Sequence, residues 1–147
     1  MSTSHHDLVR RLFDEVFNRR EFGALADIVA EHFVEHASSP FGAEAPGLVD
    51  GPSHMRGVVE WLVNQYPDLR MTVETVVAED DAVVVRVSSE GTNLGLLNGI
   101  IPATGKRFSA VQGHWYRVDD SHKLAEHWAV RDDLRSMMQL GVISVGA

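Results

Sequence analysis

The chain contains no cysteine, which excludes disulfides, a thiolate nucleophile and cysteine-based zinc sites. Positive charge is scarce: 13 Lys and Arg stand against 21 Asp and Glu, a formal net charge of −8. A surface of that sign repels phosphate backbones, and no basic stripe interleaved with aromatics offsets it, so no nucleic acid partner is expected. No apolar run approaches the roughly 20 residues that span a bilayer, so no membrane partner is expected either. The opening Met1-Ser2-Thr3-Ser4-His5-His6-Asp7 lacks the basic-then-apolar build of a signal peptide, which makes a soluble cytoplasmic protein the expectation. Also missing are G-x-S-x-G, a phosphate-binding glycine loop and a dinucleotide fingerprint. Cofactor-dependent chemistry has no visible foothold.

What is present suits one globular unit. A chain of 147 residues with 44% apolar side chains can bury a core but not two, so residues 1–147 are expected to form a single domain. Leu8, Val9, Leu12, Phe13, Val16 and Phe17 recur at helical spacing, with Ser4 and Asp7 placed as a capping pair. A shorter helix is predicted over about 22–30, with Leu25, Ile28 and Val29 inward. Residues 38–51 hold Pro40, Gly42, Pro46 and Gly47 without periodicity and read as a long, lid-like loop. Gly51-Pro52 opens a further helix with Met55, Val58, Val59, Leu62, Val63 and Tyr66 as its buried stripe, and Pro67 stops it.

From Arg70 the period becomes two. Met71, Val73, Thr75 and Val77 share one face, and Val83, Val85 and Val87 continue on a second strand after the Glu79-Asp80-Asp81 turn. Two more strands are predicted over 107–118 and 124–131, then a short helix over 132–140 ended by Gly141. Helices first and antiparallel strands afterwards give an α+β domain, a curved sheet wrapped around helices with a small-molecule pocket inside the cone.

Several segments carry a resemblance. Tyr66-Pro67-Asp68-Leu69-Arg70 resembles an "FPDLR" strand start, Gly91-Thr92-Asn93-Leu94-Gly95 a "GTHxG" segment, and Pro102-Ala103-Thr104-Gly105-Lys106 a "PPTGK" turn. Glu126-His127-Trp128-Ala129-Val130-Arg131-Asp132, followed by Gln139-Leu140-Gly141, resembles an "E-x-W-x-x-x-D … QLG" ending. In this order they resemble the SnoaL-like polyketide (ester) cyclases of the nuclear transport factor 2-like superfamily. Asn93 replaces a common histidine, and His122 replaces the usual glycine of a "DGK" turn.

The resemblance implies a cone-shaped fold, no metal or organic cofactor, and an aspartate general base near the end of the last strand. The matching residue is Asp132. It shares a strand face with Val130 and Trp128, so the expectation is a desolvated carboxylate in a pocket; capping of the last helix is the competing use. Gln112 and His114 share a face with Phe108, Ala110 and Tyr116 and would orient carbonyls and hold enolate charge. Trp128, Trp61, Trp115, Tyr66 and Phe41 offer flat apolar walls, Asn93 pocket polarity, and His127 a further lining residue if it turns inward. Arg131 is expected on the outer face, and His5, His6 and His54 on the surface.

His32-Phe33-Val34-Glu35-His36 matches H-x-x-E-H, the inverted zinc-peptidase pattern. That chemistry needs both histidines on one helical face and a third ligand downstream, whereas this segment runs into the 38–51 loop; no metal site is expected. His36 instead corresponds to a pocket histidine of the resembling family.

The first functional expectation is therefore cofactor-independent, intramolecular aldol-type ring closure of a hydrophobic or polycarbonyl substrate. The alternatives are epoxide hydrolysis or another water addition in the same pocket, and a non-catalytic binding or dimerising module. The resemblance also implies a homodimer or homotetramer, with the open sheet face packed on its twin.

Overall fold

The first helix starts where its cap allows. In the computed structural model, which describes residues 4–40, 42–144 and 146, the Ser4 side chain accepts the Asp7 amide proton at 3.0 Å and opens α1 (His5–Arg11). Met1, Ser2 and Thr3 of the opening segment and the expected wall residue Phe41 lie outside the described residues. The helix runs on as wider π-type turns over Leu12–Asn18, and Leu8, Val9, Leu12, Phe13, Val16 and Phe17 are all buried.

A turn of 3-10 helix (Phe22–Ala24) and α2 (Leu25–Ile28) follow, but the chain becomes β1 (Val29–Glu35) where helix was expected to continue to Ala30. Pairing on both sides overrides the local preference. Within the expected loop, Gly47–Asp50 forms β2, antiparallel to β1. Asp50 then caps α3 (Gly51–Gln65) by accepting the Ser53 amide proton at 3.1 Å. The remaining elements are β3 (Arg70–Glu79), β4 (Ala82–Thr92), β5 (Arg107–Val118), β6 (Leu124–Arg131) and α4 (Asp133–Gln139).

The six strands form one sheet in the order β2-β1-β6-β5-β4-β3, antiparallel except for the parallel β1–β6 pair. This is the expected α+β arrangement, a curved sheet holding helices on its concave side. In β3 the register shifts between Val73 and Thr75, so Val76 and Ala78 pack against the core while Val77 is 59% exposed. The expected continuous face from Met71 to Val77 is therefore broken by the irregularity at Glu74.

Polar staples fix the elements around the concave side. Asn18 exchanges two hydrogen bonds with the Met71 backbone, at 2.7 and 2.8 Å, and ties the end of the first helix to β3. Asp68 accepts from both the amide and hydroxyl of Thr92 at 2.7 Å. Gln139 clasps the Ser109 backbone, accepting from its amide at 2.7 Å and donating to its carbonyl at 3.1 Å, which seats α4 on β5. Gly95 passes so close to α3 that a Cβ would collide with the Asn64 carbonyl oxygen.

Asn93 is wholly buried and works as a staple too. Its Nδ2 donates to the Gln65 and Gly95 carbonyls (3.3 and 2.9 Å), and its Oδ1 accepts from the Thr104 amide and hydroxyl (2.8 and 3.1 Å). It does not line the cavity described below, which corrects the expectation that it sets pocket polarity; its amide is already saturated by the β4–β5 connection and the end of α3. Asn93→Ala leaves these groups buried without partners, and a loss of about 2–4 kcal/mol is expected in urea unfolding. A loss below about 1 kcal/mol would show that the connection does not depend on the amide.

Candidate active site

The concave side encloses a cavity of about 540 Å³. Leu62 and Trp61 of α3, Met71 of β3, Phe108 of β5 and Met137 of α4 give it apolar walls. One wall differs. Where β1, β6 and β5 run side by side, it carries Glu35, His127, His114 and Gln112.

Strand register puts these four together. Glu35 pairs with His127 across the parallel β1–β6 ladder, His127 with Tyr116, and Arg131 with Gln112 across β6–β5. Directly paired residues share a face, so His127 and Arg131 face inward together with Gln112, His114 and Tyr116. A hydrogen-bonded chain results. Glu35 Oε1 lies 2.7 Å from His127 Nδ1, His127 Nε2 lies 2.9 Å from His114 Nδ1, and His114 Nε2 lies 2.8 Å from Gln112 Oε1. The second oxygen of Glu35 is 3.1 Å from His54 Nε2 on α3, and the Ala37 amide donates to the first at 2.9 Å. The Tyr116 ring stacks on His127 with centroids 4.7 Å apart.

Burial opposes ionisation of Glu35, but the bonds from His127, His54 and the Ala37 amide outweigh it and hold the carboxyl down to about 2. Burial, reinforced by the neighbouring His127 and Arg131, pushes His114 down to about 3, so its ring is neutral at physiological pH. Burial also raises both tyrosines: Tyr66 to about 12, helped by Asp133, and Tyr116 well above its usual value, helped by Glu35. Both therefore stay protonated, and neither hydroxyl makes a hydrogen bond among the described residues.

Of the residues expected at the site, Gln112, His114, His127, Trp61 and Tyr66 line this cavity. Asp132 does not. It is exposed and caps α4, accepting the Arg135 amide proton at 3.1 Å, beside the outer-face groove of Val84, Val111 and Val130. Asp132 lies just past the end of β6, and it borders Val130 on the outside of the sheet rather than the cavity. Trp128 accordingly stacks on His36 at 4.8 Å on the outer surface, where His36 Nε2 reaches Glu126 at 2.6 Å. Neither lines the cavity, which corrects both expectations. The same parity turns Arg131 inward; its Nη2 donates to the Ser38 carbonyl at 2.6 Å and to Asp133 at 3.2 Å.

Sequence reasoning missed Glu35, His54 and Asp133. His54 has a helical signature, since it precedes Val58, Trp61, Leu62 and Gln65 on one side of α3, and all five line the cavity. Glu35 was concealed because its segment was not read as a strand. In β1 it alternates with Val34 and points inward with Phe33, while His32 and His36 are exposed on the other side, so the H-x-x-E-H letters are split between two faces.

His114 makes stability depend on pH. The unfolded chain binds its proton below about 6.5 and the fold only near 3, so His114 lowers stability progressively as pH falls between those values. Urea titrations of wild type and His114→Gln should diverge there, the wild type losing on the order of 1 kcal/mol per pH unit relative to the variant. Parallel curves would mean that the buried ring charges freely.

The geometry can be set beside known proteins. The family model described as SnoaL-like polyketide cyclase matches residues 7–140. The chain is 32% identical over 137 residues to the aklanonic acid methyl ester cyclase DauD of Streptomyces sp. (strain C5), covering 92% of this chain and 80% of the relative. It is equally similar, at 32%, to the aklanonic acid methyl ester cyclase DnrD of Streptomyces peucetius, covering 92% and 89%. Among solved structures, wild-type IdmH from Streptomyces antibioticus matches with a TM-score of 0.77 at 29% identity, over 93% of this chain and 98% of that one. A structure from Acidithiobacillus ferrooxidans, at 23% identity, shares the fold with a TM-score of 0.79 over 96% and 98%.

Proposed function

Because the chain belongs to the SnoaL-like polyketide cyclase family, we propose that it closes a ring in a polycarbonyl ester by an intramolecular aldol reaction, with Glu35, His127 and His114 as its proton-transfer apparatus and no cofactor. The observation that carries this reading is the unbroken chain from Glu35 to Gln112 on the wall of an otherwise apolar cavity. The substrate class is one like the aklanonic acid methyl ester of the relatives' names.

Ring closure begins with loss of a proton from carbon flanked by carbonyls. His114 Nε2 takes it, the C–H electron pair stays on the substrate as an enolate, and the Nδ1 proton of His114 passes to Nε2 of His127. The charge comes to rest on His127, next to ionised Glu35. A ring that disfavours its own imidazolium, as His114 does, still relays a proton when the charge moves on. The enolate carbon attacks a second carbonyl, a C–C bond forms, and the alkoxide recovers a proton by the reverse relay. Glu35 acts through His127: it fixes the Nδ1–H tautomer and balances the imidazolium. Arg131 and the hydroxyls of Tyr66 and Tyr116 supply donors for carbonyl and enolate oxygens. The pairing of Arg131 with Asp133 on the same wall favours a second reading, water activation for hydrolysis.

Incubation with aklanonic acid methyl ester and related polycarbonyl esters, followed by mass-resolved chromatography, separates these readings. Unchanged mass with altered retention is expected, His127→Gln should lose about 10²–10⁴-fold in rate, and Asp132→Asn should stay near wild type. Gain of one water would replace cyclisation by hydrolysis, and full activity of His127→Gln would remove the relay.

A homodimer is also proposed. Val77, Val84, Val111 and Val130 are 43–64% exposed on the outer sheet face, a patch of a kind that associating proteins cover. Light scattering at micromolar concentration should report twice the 16.3 kDa chain mass, and Val130→Asp should halve it. A monomeric wild type would leave the patch without that role.

A further inference from the structure

The hydrogen-bond chain cannot be completed by neutral histidines and the Gln112 carbonyl alone. It has three links, Glu35–His127, His127–His114 and His114–Gln112, and each needs one hydrogen. Ionised Glu35 only accepts. Two neutral imidazoles carry one N–H each, which fills two links. The third hydrogen has only two sources. Either the Gln112 amide presents its NH2 group to His114 Nε2, or the histidine pair holds one extra proton and His114 Nε2–H donates to Gln112 Oε1. A carboxamide has nearly the same outline after a half-turn, so the site accommodates both arrangements.

We infer that Gln112 is a proton-coupled amide switch: it turns its carbonyl oxygen to the cavity when the histidine pair is neutral and its NH2 group to the cavity when the pair has gained a proton. The consequence for catalysis rests on the cyclase reading; the hydrogen count does not. Before the reaction the cavity meets a Gln112 acceptor, and the amide swings its NH2 group off His114 Nε2 as that nitrogen takes the substrate's proton. Once the relay has taken the substrate's proton, a link donated from His114 to Oε1 frees the NH2 group towards the cavity while negative charge sits on the enolate. No atom is left over: the proton that leaves carbon becomes the third hydrogen of the chain, and returning it to the alkoxide resets the amide. One residue thereby gives an oxyanion donor present only when an oxyanion exists, the kind of interaction that lowers a barrier without tightening ground-state binding.

The charged and titratable surroundings permit this. Glu35 faces His127 from β1 and holds the proton's charge there, His54 faces Glu35 from α3, and Tyr116 lies against His127 from β5. Arg131, the register partner of Gln112 on β6, disfavours a charge on His114 and so directs it to His127, while Asp133 of α4 pairs with Arg131. The switch therefore makes a distinctive claim. His114 exchanges tautomers, from Nδ1–H to Nε2–H, without becoming charged.

Nitrogen-15 NMR of the histidine rings in the substrate-free protein tests it, and needs no turnover. In a pH titration, His114 should move its single proton from Nδ1 to Nε2 in the step at which the histidine pair gains a proton, and the Gln112 side-chain NH2 resonances should shift in that same step. In Gln112→Glu the ionised side chain only accepts, so the Nε2–H tautomer of His114 should persist to higher pH, by about one to two units. One His114 tautomer throughout the wild-type titration overturns the switch even if the variant fails to fold. A folded Gln112→Glu that titrates as wild type overturns it too. Either result leaves the cyclase reading standing, and absent turnover of polycarbonyl esters would leave the switch standing.

Discussion

Burying an ionised carboxylate costs several kcal/mol unless its oxygens are met by donors, and Glu35 is 6% exposed. Its three donors come from three places: His127 on β6, His54 on α3, and the Ala37 amide where the chain leaves β1. Meeting that requirement holds α3 against the β1 end of the sheet and sets the direction of the segment after Glu35. It also depends on the parallel β1–β6 register, since a shift of one residue would turn His127 to the other face. The next link, to His114, then fixes the ring that stands beside Gln112. The polar wall is thus one cooperative unit whose geometry originates at a single carboxylate.

That unit explains a distribution of polarity that runs against habit. On β5 and β6 the inward face carries Gln112, His114, His127 and Arg131, while the outward face carries Val111, Val130 and Trp128. Such an arrangement is stable because the inward groups satisfy each other and the cavity keeps them from being pressed against hydrocarbon. The rest of the lining, including Leu62, Met71, Phe108 and Met137, is apolar. A site that is polar on one side and apolar on the other suits a flat molecule with a carbonyl edge.

Much of the fold was legible, and the site was legible as pairs rather than as sides. Capping at Ser4, the stop at Pro67, the strands of the C-terminal half and the α+β class all follow from local pattern, and the structure has them. β1 was not legible, because Val29–Glu35 acquires its identity from partners distant in sequence. The period-two grouping of Gln112 with His114 was sound, whereas Asp132 lies beyond the end of β6, where strand alternation no longer applies. What alternation could not supply was which group faces in. On β5 apolar character gave the right side, with Phe108 and Tyr116 inward, but on β6 it pointed outward, since Trp128 and Val130 sit on the convex face and His127 and Arg131 inside. Only the pairing of Gln112 with Arg131 resolves the sense.

The same inversion bears on how the family's sequence motifs relate to its chemistry. The segments that carry the resemblance largely build the frame: Asp68 ties the entry of β3 to Thr92 at the end of β4, Asn93 and Thr104 hold the β4–β5 connection, Gln139 seats α4. In the E-x-W stretch, Glu126 faces outward to Arg117 and His36, and Trp128 stacks on His36. The position between them, which the pattern leaves open, is His127, the centre of the polar chain. A strand that must anchor its outer face with two fixed side chains delivers the intervening one to the cavity by geometry alone. Chemistry at that position can then change without disturbing the frame, which is how one fold comes to serve several reactions.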